Sequence, residues 1–187
     1  MSEVLTPVPA LDRIDLLAPP VAAALTNQIA IAEQVKVAEI SPKLADTAEF
    51  CEHYGHPLRS SANCVVVAGK RAGEIRYVAC VVLATTRVDV NNRARRYADF
   101  RKASFAPMDT AVELTGMEYG GITPVGLPKD WPLFVDPRVI AEPYVVIGSG
   151  LRRSKIFIPG PLVARLPGVQ VVTGLAMPAP TDIPLGG

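Results

Sequence analysis

The segment Tyr119-Gly120-Gly121-Ile122-Thr123-Pro124-Val125-Gly126 is the stretch of this sequence best suited to hold a ligand. Two adjacent glycines permit positive φ and carry no Cβ, so backbone N–H groups can approach a bound molecule closely. Pro124 stiffens the exit of the turn. A bare Gly-Gly would be no more than a helix-to-strand connection. Met117, Glu118, Tyr119 and Thr123 add polar and aromatic groups beside it, which favours a pocket. The second candidate is Gly148-Ser149-Gly150-Leu151-Arg152-Arg153-Ser154-Lys155. It is too long and basic for a minimal hairpin loop. Its Gly-Ser-Gly backbone beside Arg152, Arg153 and Lys155 suits a phosphate or a carboxylate, and fits a solvated charged loop equally well.

Other chemistry-bearing residues carry less. Cys51, His53 and His56 are spaced C-x-H-x-x-H without a fourth ligand nearby, whereas a structural zinc site wants four, so no metal site is expected and the histidines read as helix-end residues. Cys64 lies in an apolar strand-like run, where a thiol stays protonated and is a poor nucleophile. There is no G-x-S-x-G elbow, phosphate-binding P-loop or dinucleotide fingerprint, and no cofactor is implied.

The elements that must position these loops follow from the pattern. Gln34 to Ile40 alternates apolar and polar residues as a half-buried strand does. Asp46 or Thr47 can cap a short helix running through His53, ended by Gly55 and Pro57. Asn63–Ala68 and Tyr77–Ala84 are rich in β-branched residues, with a glycine-containing turn at 70–74, which predicts an antiparallel hairpin. Asn91–Lys102 is expected as an arginine-rich helix. Met108–Thr115 is expected as another, with Pro107 before it and Gly116 after it. Leu133–Val135, Tyr144–Ile147, Ile156–Ile158 and Val169–Val172 read as strands, with a short helix over Pro161–Leu166. The predicted class is α+β (mixed α/β), a curved and largely antiparallel sheet with flanking helices.

Length and composition set the frame. The 187 residues suit one domain, large enough to fold without disulfide or metal. Nineteen Lys and Arg against eighteen Asp and Glu leave a net charge of +1, which excludes a strongly basic non-specific nucleic-acid binder but leaves room for a local basic patch. The three cysteines, an odd count, carry no tight pairing motif. Met1-Ser2-Glu3 opens no signal-peptide pattern, and no run approaches the ~18 apolar residues that cross a bilayer, so the expected location is the cytoplasm. Residues 1–30, with four prolines and the apolar run Val21–Leu25, are expected as an extension of short helical pieces outside the core. Residues 31–176 are expected as the domain proper and 177–187 as a loose tail.

Glu113-Leu114-Thr115-Gly116, the glycine loop from Tyr119 through Leu127, Leu133-Phe134-Val135-Asp136 and Gly148-Ser149-Gly150 together resemble the YbaK/EbsC family. This is the prolyl-tRNA synthetase-associated editing domain, also called the INS or ProX group. The similarity runs in order from about Ala45 to Val172. It implies a mixed α/β fold around a small pocket and hydrolysis of the ester joining a wrong amino acid to the terminal adenosine of a tRNA. The family's G-x-x-x-P loop maps onto Gly120, Gly121, Ile122, Thr123 and Pro124, whose backbone would position the aminoacyl-adenosine while water attacks. An ester is already activated, so backbone donors and positioning can supply much of the rate.

One departure limits the resemblance. The family lysine near the start of the strand after the first helix falls here on Ala62 or Asn63, neither of which is charged. Lys155, Lys102, Arg76 or Arg152 could reach the pocket from another element, or the site has lost or changed its activity. The first expectation is therefore a trans-acting aminoacyl-tRNA deacylase engaging the tRNA acceptor end. Gly120, Gly121, Thr123 and Asn63 would be catalytic; Tyr119, Ile122, Pro124, Ser149, Gly150, Arg152 and Lys155 would bind substrate. The alternatives are a binding-only module for an aminoacyl or nucleotide-like ligand or a protein partner, and a homodimerisation unit using Val21–Leu25.

Overall fold

A computed structural model describes residues 4–179, so the opening Met1-Ser2-Glu3 and the end of the expected tail, residues 180–187, lie outside the described residues. In chain order the strands and helices are β1 (Val8–Pro9), α1 (Pro19–Asn27), α2 (Ile29–Ala32), β2 (Lys36–Glu39), α3 (Thr47–Tyr54), β3 (Ala62–Arg71), β4 (Glu74–Leu83), β5 (Thr86–Val88), α4 (Arg95–Tyr97) and β6 (Ala103–Phe105). There follow α5 (Met108–Thr115), β7 (Leu133–Val135), α6 (Pro137–Ala141), β8 (Val145–Gly148), β9 (Ser154–Ile158), α7 (Gly160–Val163), β10 (Val169–Val171) and β11 (Ala176–Pro178). Mixed α and β structure is what the pattern predicts. No helix among the described residues is long and apolar enough to cross a membrane.

Two main sheets, rather than one, carry the structure. The larger runs β10-β7-β4-β3-β6 and the other β1-β2-β9-β8, with β11 and β5 paired separately. Most ladders are antiparallel, but β7 lies parallel to both β4 and β10. The sheets meet where Ser61, just before β3, bridges to Val146 of β8. Both faces of β4 are buried over its second half, Val78 to Leu83. Val78, Cys80 and Val82 enter one apolar cluster while Ala79, Val81 and Leu83 enter the main one. That double burial explains an apolar run without alternation.

The predicted hairpin is present and longer than expected, with ten residue pairs from Ala62↔Leu83 to Arg71↔Glu74. Its tip is the pair Ala72-Gly73, with φ of 51° and 84°. Positive φ at both positions gives the turn whose twist matches the strands it joins. The α3 and α5 helices lie where expected, ending at Gly55 (φ 65°) and Gly116 (φ 67°) in the left-handed conformation that glycine adopts without strain. The buried carboxylate of Asp136 in the Leu-Phe-Val-Asp segment accepts from Arg138 N (3.0 Å) and Ala176 N (3.1 Å), capping α6 and anchoring β11.

Three expectations need correction. Asn91–Lys102 is not one helix: a π-turn at Val90–Ala94 and one α turn are followed by a break at Asp99 (φ 55°), and Arg101 and Lys102 run into β6. Aliphatic residues there bury only every few positions, and Ala94, Ala98 and Phe100 cannot all face the core on a straight helix. The N-terminal segment does not lie outside the core. Ala10, Leu16, Val21 and Leu25 are at most 1 % exposed and belong to the main cluster, so the dimerisation idea loses its exposed apolar run. Met177 and Pro178, the start of the expected tail, are not loose, since they pair with β5.

Candidate active site

A cavity of about 390 Å³ opens between the two sheets, and five stretches of chain wall it. The start of α3 gives Asp46, Thr47 and Phe50, β3 gives Ala62 through Val66, and the β6–α5 stretch gives Phe105, Met108 and Ala111. The glycine loop contributes Tyr119, Gly120 and Ile122, and the β8–β9 pair contributes Val146, Gly148 and Lys155. Apolar groups dominate, with a polar group of Asp46, Thr47, Asn63 and Lys155 among them.

The glycine loop and the Gly148–Lys155 segment are locked together through backbone. Gly150 N donates to Gly121 O (2.7 Å) and Glu118 N to Gly150 O (2.8 Å). A Cβ on Gly121 would sit 2.9 Å from the backbone of Leu151, and one on Gly148 would collide with the Gly121 carbonyl. Gly120 takes φ +77°, and a Cβ there would run into the Arg152 guanidinium. The glycines therefore serve close packing of two loops as well as access to the cavity. Arg152 clamps the rim: its guanidinium donates to Tyr119 O (3.1 Å) and Pro42 O (3.1 Å), its backbone N–H donates to the Glu118 carboxylate (2.6 Å), and the Asp46 carboxylate lies 3.9 Å from the guanidinium.

The structure divides the sequence-selected residues into two groups. Tyr119, Gly120, Ile122, Asn63 and Lys155 line the cavity. Gly121, Thr123, Pro124, Ser149, Gly150 and Arg152 do not line it. Thr123 is fully buried, and its hydroxyl lacks a hydrogen-bond partner among the described residues. The Ser149 hydroxyl is shared with Ser154 Oγ (2.7 Å) and two carbonyls, so it serves the β8–β9 connection and is not a polar group of the pocket. Gly150 packs on Ala18 and Val21.

Lys155 is the main revision. It is not in an exposed basic loop but in β9, between Ala38 of β2 and Gly148 of β8, and is 6 % exposed. Its Nζ donates to Ala45 O (2.6 Å) and lies 5.6 Å from the centre of the Phe50 ring. Burial pulls its pKa down to about 8, with Asp46 pulling the other way. A lysine thus stands on the cavity wall although Ala62 and Asn63 supply none. The Asn63 side-chain Oδ1 accepts from the Thr47 hydroxyl (2.7 Å), which orients the side-chain amide on the cavity wall.

Cys64 also faces the cavity, and burial pushes its thiol up to about 12, so it stays neutral and is no nucleophile. Cys51 Sγ lies 3.3 Å from Ser61 Oγ, and the His56 ring packs against Phe50, Tyr144 and Phe157. Sequence reading missed Asp46, Thr47, Phe50 and Met108 as wall residues. Asp46 and Thr47 carried a visible signal as helix-cap residues, because the start of a helix that abuts a cavity offers its first side chains to it.

Several solved structures share this fold. A protein put forward as a trans-editing enzyme for prolyl-tRNA synthetase superposes with a TM-score of 0.70 at 23% identity, covering 82% of this chain and 93% of its own. A hypothetical protein gives 0.70 at 21% identity, covering 82% and 99%. A scaffold used for computational epitope grafting gives 0.70 at 23%, covering 82% and 94%. At these identities the likeness speaks for the fold. No curated protein matches the sequence. Residues 41–166, more than half of the chain, match the aminoacyl-tRNA editing domain, and they include the Asp46–Phe50 wall, the hairpin, the glycine loop and Lys155. The chain belongs to the aminoacyl-tRNA editing domain family.

Proposed function

We propose that this protein is a trans-acting aminoacyl-tRNA deacylase, working in the cytoplasm on the acceptor end of a mischarged tRNA. In the reaction a water oxygen bonds to the ester carbonyl carbon, the bond from that carbon to the ribose oxygen breaks, and the ribose oxygen takes a proton. Free amino acid and uncharged tRNA result. The observation that carries the reading is Lys155 on the wall of the cavity that Tyr119 and Gly120 also line. Lys155, as a cation, stabilises negative charge on the ester oxygen or the neighbouring phosphate. Such a group in a partly dry pocket is worth far more than in water. Asn63, held by Thr47, orients substrate or water, and the Gly120 backbone positions the aminoacyl-adenosine.

The binding-only reading rested on the absent lysine at Ala62 and Asn63. A lysine arriving from β9 removes its main support. Purified protein incubated with a panel of mischarged tRNAs is expected to release amino acid from at least one of them. Absence of release from every member would overturn the proposal.

A further inference from the structure

The chain's near-neutral charge conceals a strong asymmetry. Residues 70–102 hold nine of the nineteen Lys and Arg residues and three of the eighteen Asp and Glu residues, a net +6 within a chain of +1. Five of these cations gather at one end of the large sheet. Lys70 and Arg71 close β3, Arg76 lies opposite Gly69 on β4, and Arg101 and Lys102 lead into β6. Backbone hydrogen bonds hold them together: Arg101 N donates to Lys70 O (2.9 Å) and Lys70 N to Lys102 O (3.4 Å). All five are exposed. Arg71 meets Asp99 at 3.3 Å and Arg76 meets Glu74 at 2.7 Å, while Lys70, Arg101 and Lys102 have no acidic partner among the described residues.

This basic end is continuous with the cavity through two strands. On β3 the cavity wall runs from Ala62 to Val66 and Lys70 follows four residues later, roughly 13 Å at the usual strand rise. On β6 Phe105 stands on the cavity wall and Lys102 comes three residues before it, about 10 Å away. A cleft of about 610 Å³ at the same end is lined by Arg71, Arg76, Tyr77 and Trp131, with the carboxylates of Glu74 and Asp130 also on its wall. The Tyr77 and Trp131 rings stack there at 5.3 Å and 26°. Cations spread along strand ends match a phosphate backbone better than a single anion.

We infer that the Lys70–Arg71–Arg76–Arg101–Lys102 surface is the docking face for the tRNA phosphate backbone, holding the acceptor arm while its aminoacylated end enters the cavity. This rests on the deacylase reading, since it names how that substrate is held. The surface would be insensitive to tRNA sequence, because backbone contacts position but do not specify.

The test compares full-length protein with the Lys70→Ala, Arg101→Ala, Lys102→Ala triple variant. A control removes three exposed cations elsewhere, Lys36→Ala, Arg59→Ala and Arg165→Ala. Binding of uncharged tRNA is read by fluorescence anisotropy between 50 and 200 mM salt, and hydrolysis is read on both mischarged tRNA and aminoacyl-adenosine. The triple variant is expected to bind tRNA at least about tenfold more weakly at low salt, with a salt slope shallower by about 0.9 for each phosphate it no longer neutralises. Its turnover of aminoacyl-adenosine should equal that of the unaltered protein, and the control should bind tRNA as the unaltered protein does. Equal affinity and slope for the triple variant, or an equal weakening in the control, would overturn the inference. So would failure of the unaltered protein to bind tRNA at 50 mM salt. If tRNA binding falls in the triple variant while no aminoacyl substrate is cleaved by any protein, the docking face stands and the deacylase reading falls.

Discussion

At the scale of single residues, Lys155 concentrates the conflict between stability and function. An amine buried to this degree keeps its charge at a cost, and its pKa of about 8 in the folded protein compares with 10.5 in an unperturbed lysine. The folded-state value is the lower of the two. Between pH 8 and 10.5 the unfolded chain therefore holds a proton that the folded chain has released, and stability rises with pH through that window. Below it the full penalty applies, roughly 3 kcal/mol from a shift of this size. Lys155→Met is expected to raise the unfolding free energy at pH 7 by about 2 kcal/mol, the loss of the Ala45 hydrogen bond taking back part of the gain. It should also flatten the rise above pH 8. Urea denaturation at a series of pH values reads both, and an unaltered pH profile in the variant would show that the amine is not buried as a cation. Activity has the opposite requirement. On the proposed reading the cation stabilises developing negative charge, so kcat/KM should fall as pH rises through about 8, after correction for uncatalysed ester hydrolysis.

At the scale of elements, the two interlocked loops set the cavity's shape. Gly121 has no room for a side chain because Leu151 backbone lies 2.9 Å from where its Cβ would be. Gly121→Ala should cost about 1–3 kcal/mol and lower turnover at least about tenfold by displacing Gly120 and Tyr119 from the wall. Thermal unfolding and deacylation assays check the two halves, and a variant with unchanged turnover would separate the loop from the reaction.

The same elements show what the sequence discloses. The hairpin, α3 and α5 are legible because each carries local punctuation: the Ala72-Gly73 turn, and a glycine in the left-handed conformation after each helix. The glycine loop is legible as unusual backbone. Which face each residue takes is not. Ser149 and Thr123 read as polar pocket groups, yet the crossing of two loops turns one toward Ser154 and seals the other inside. Lys155 read as part of a basic loop because Arg152 and Arg153 precede it, and only the pairing of β9 with both β2 and β8 buries it. Asn91–Lys102 reads as a helix by composition, while the need to bury Phe100 and to pair Ala103–Phe105 with β3 breaks it.

At the scale of the molecule, the N-terminal segment is a buttress of the site and not an appendage. Ala18 N donates to Ser149 O (3.1 Å), Ser154 Oγ donates to Leu16 O (2.6 Å), and a Cβ on Gly126 would meet the Pro20 carbonyl oxygen at 2.5 Å. The residues that hold the two loops in place are thus the ones that a linear reading sets aside as an extension. Leu25, 1 % exposed in the main cluster, tests this. Leu25→Ala is expected to destabilise the whole domain by about 2–5 kcal/mol in urea denaturation, and a cost below about 0.5 kcal/mol would return the segment to the periphery. The basic end of the large sheet, the cavity between the sheets and the N-terminal buttress then form one arrangement. On the proposed reading a polyanion is held at one end, its acylated tip lies in the middle, and the loops around it are braced from behind.

The account's central claim is that Lys155 supplies the cation that Ala62 and Asn63 lack. Single-turnover release of amino acid from a mischarged tRNA that the protein cleaves, compared between the unaltered protein, Lys155→Met and Asn63→Lys, tests it most directly. A fall of about 10²–10³ in the Lys155→Met rate, with no gain in Asn63→Lys, is the expected result. A Lys155→Met variant as fast as the unaltered protein, or an Asn63→Lys variant that gains activity, would contradict it.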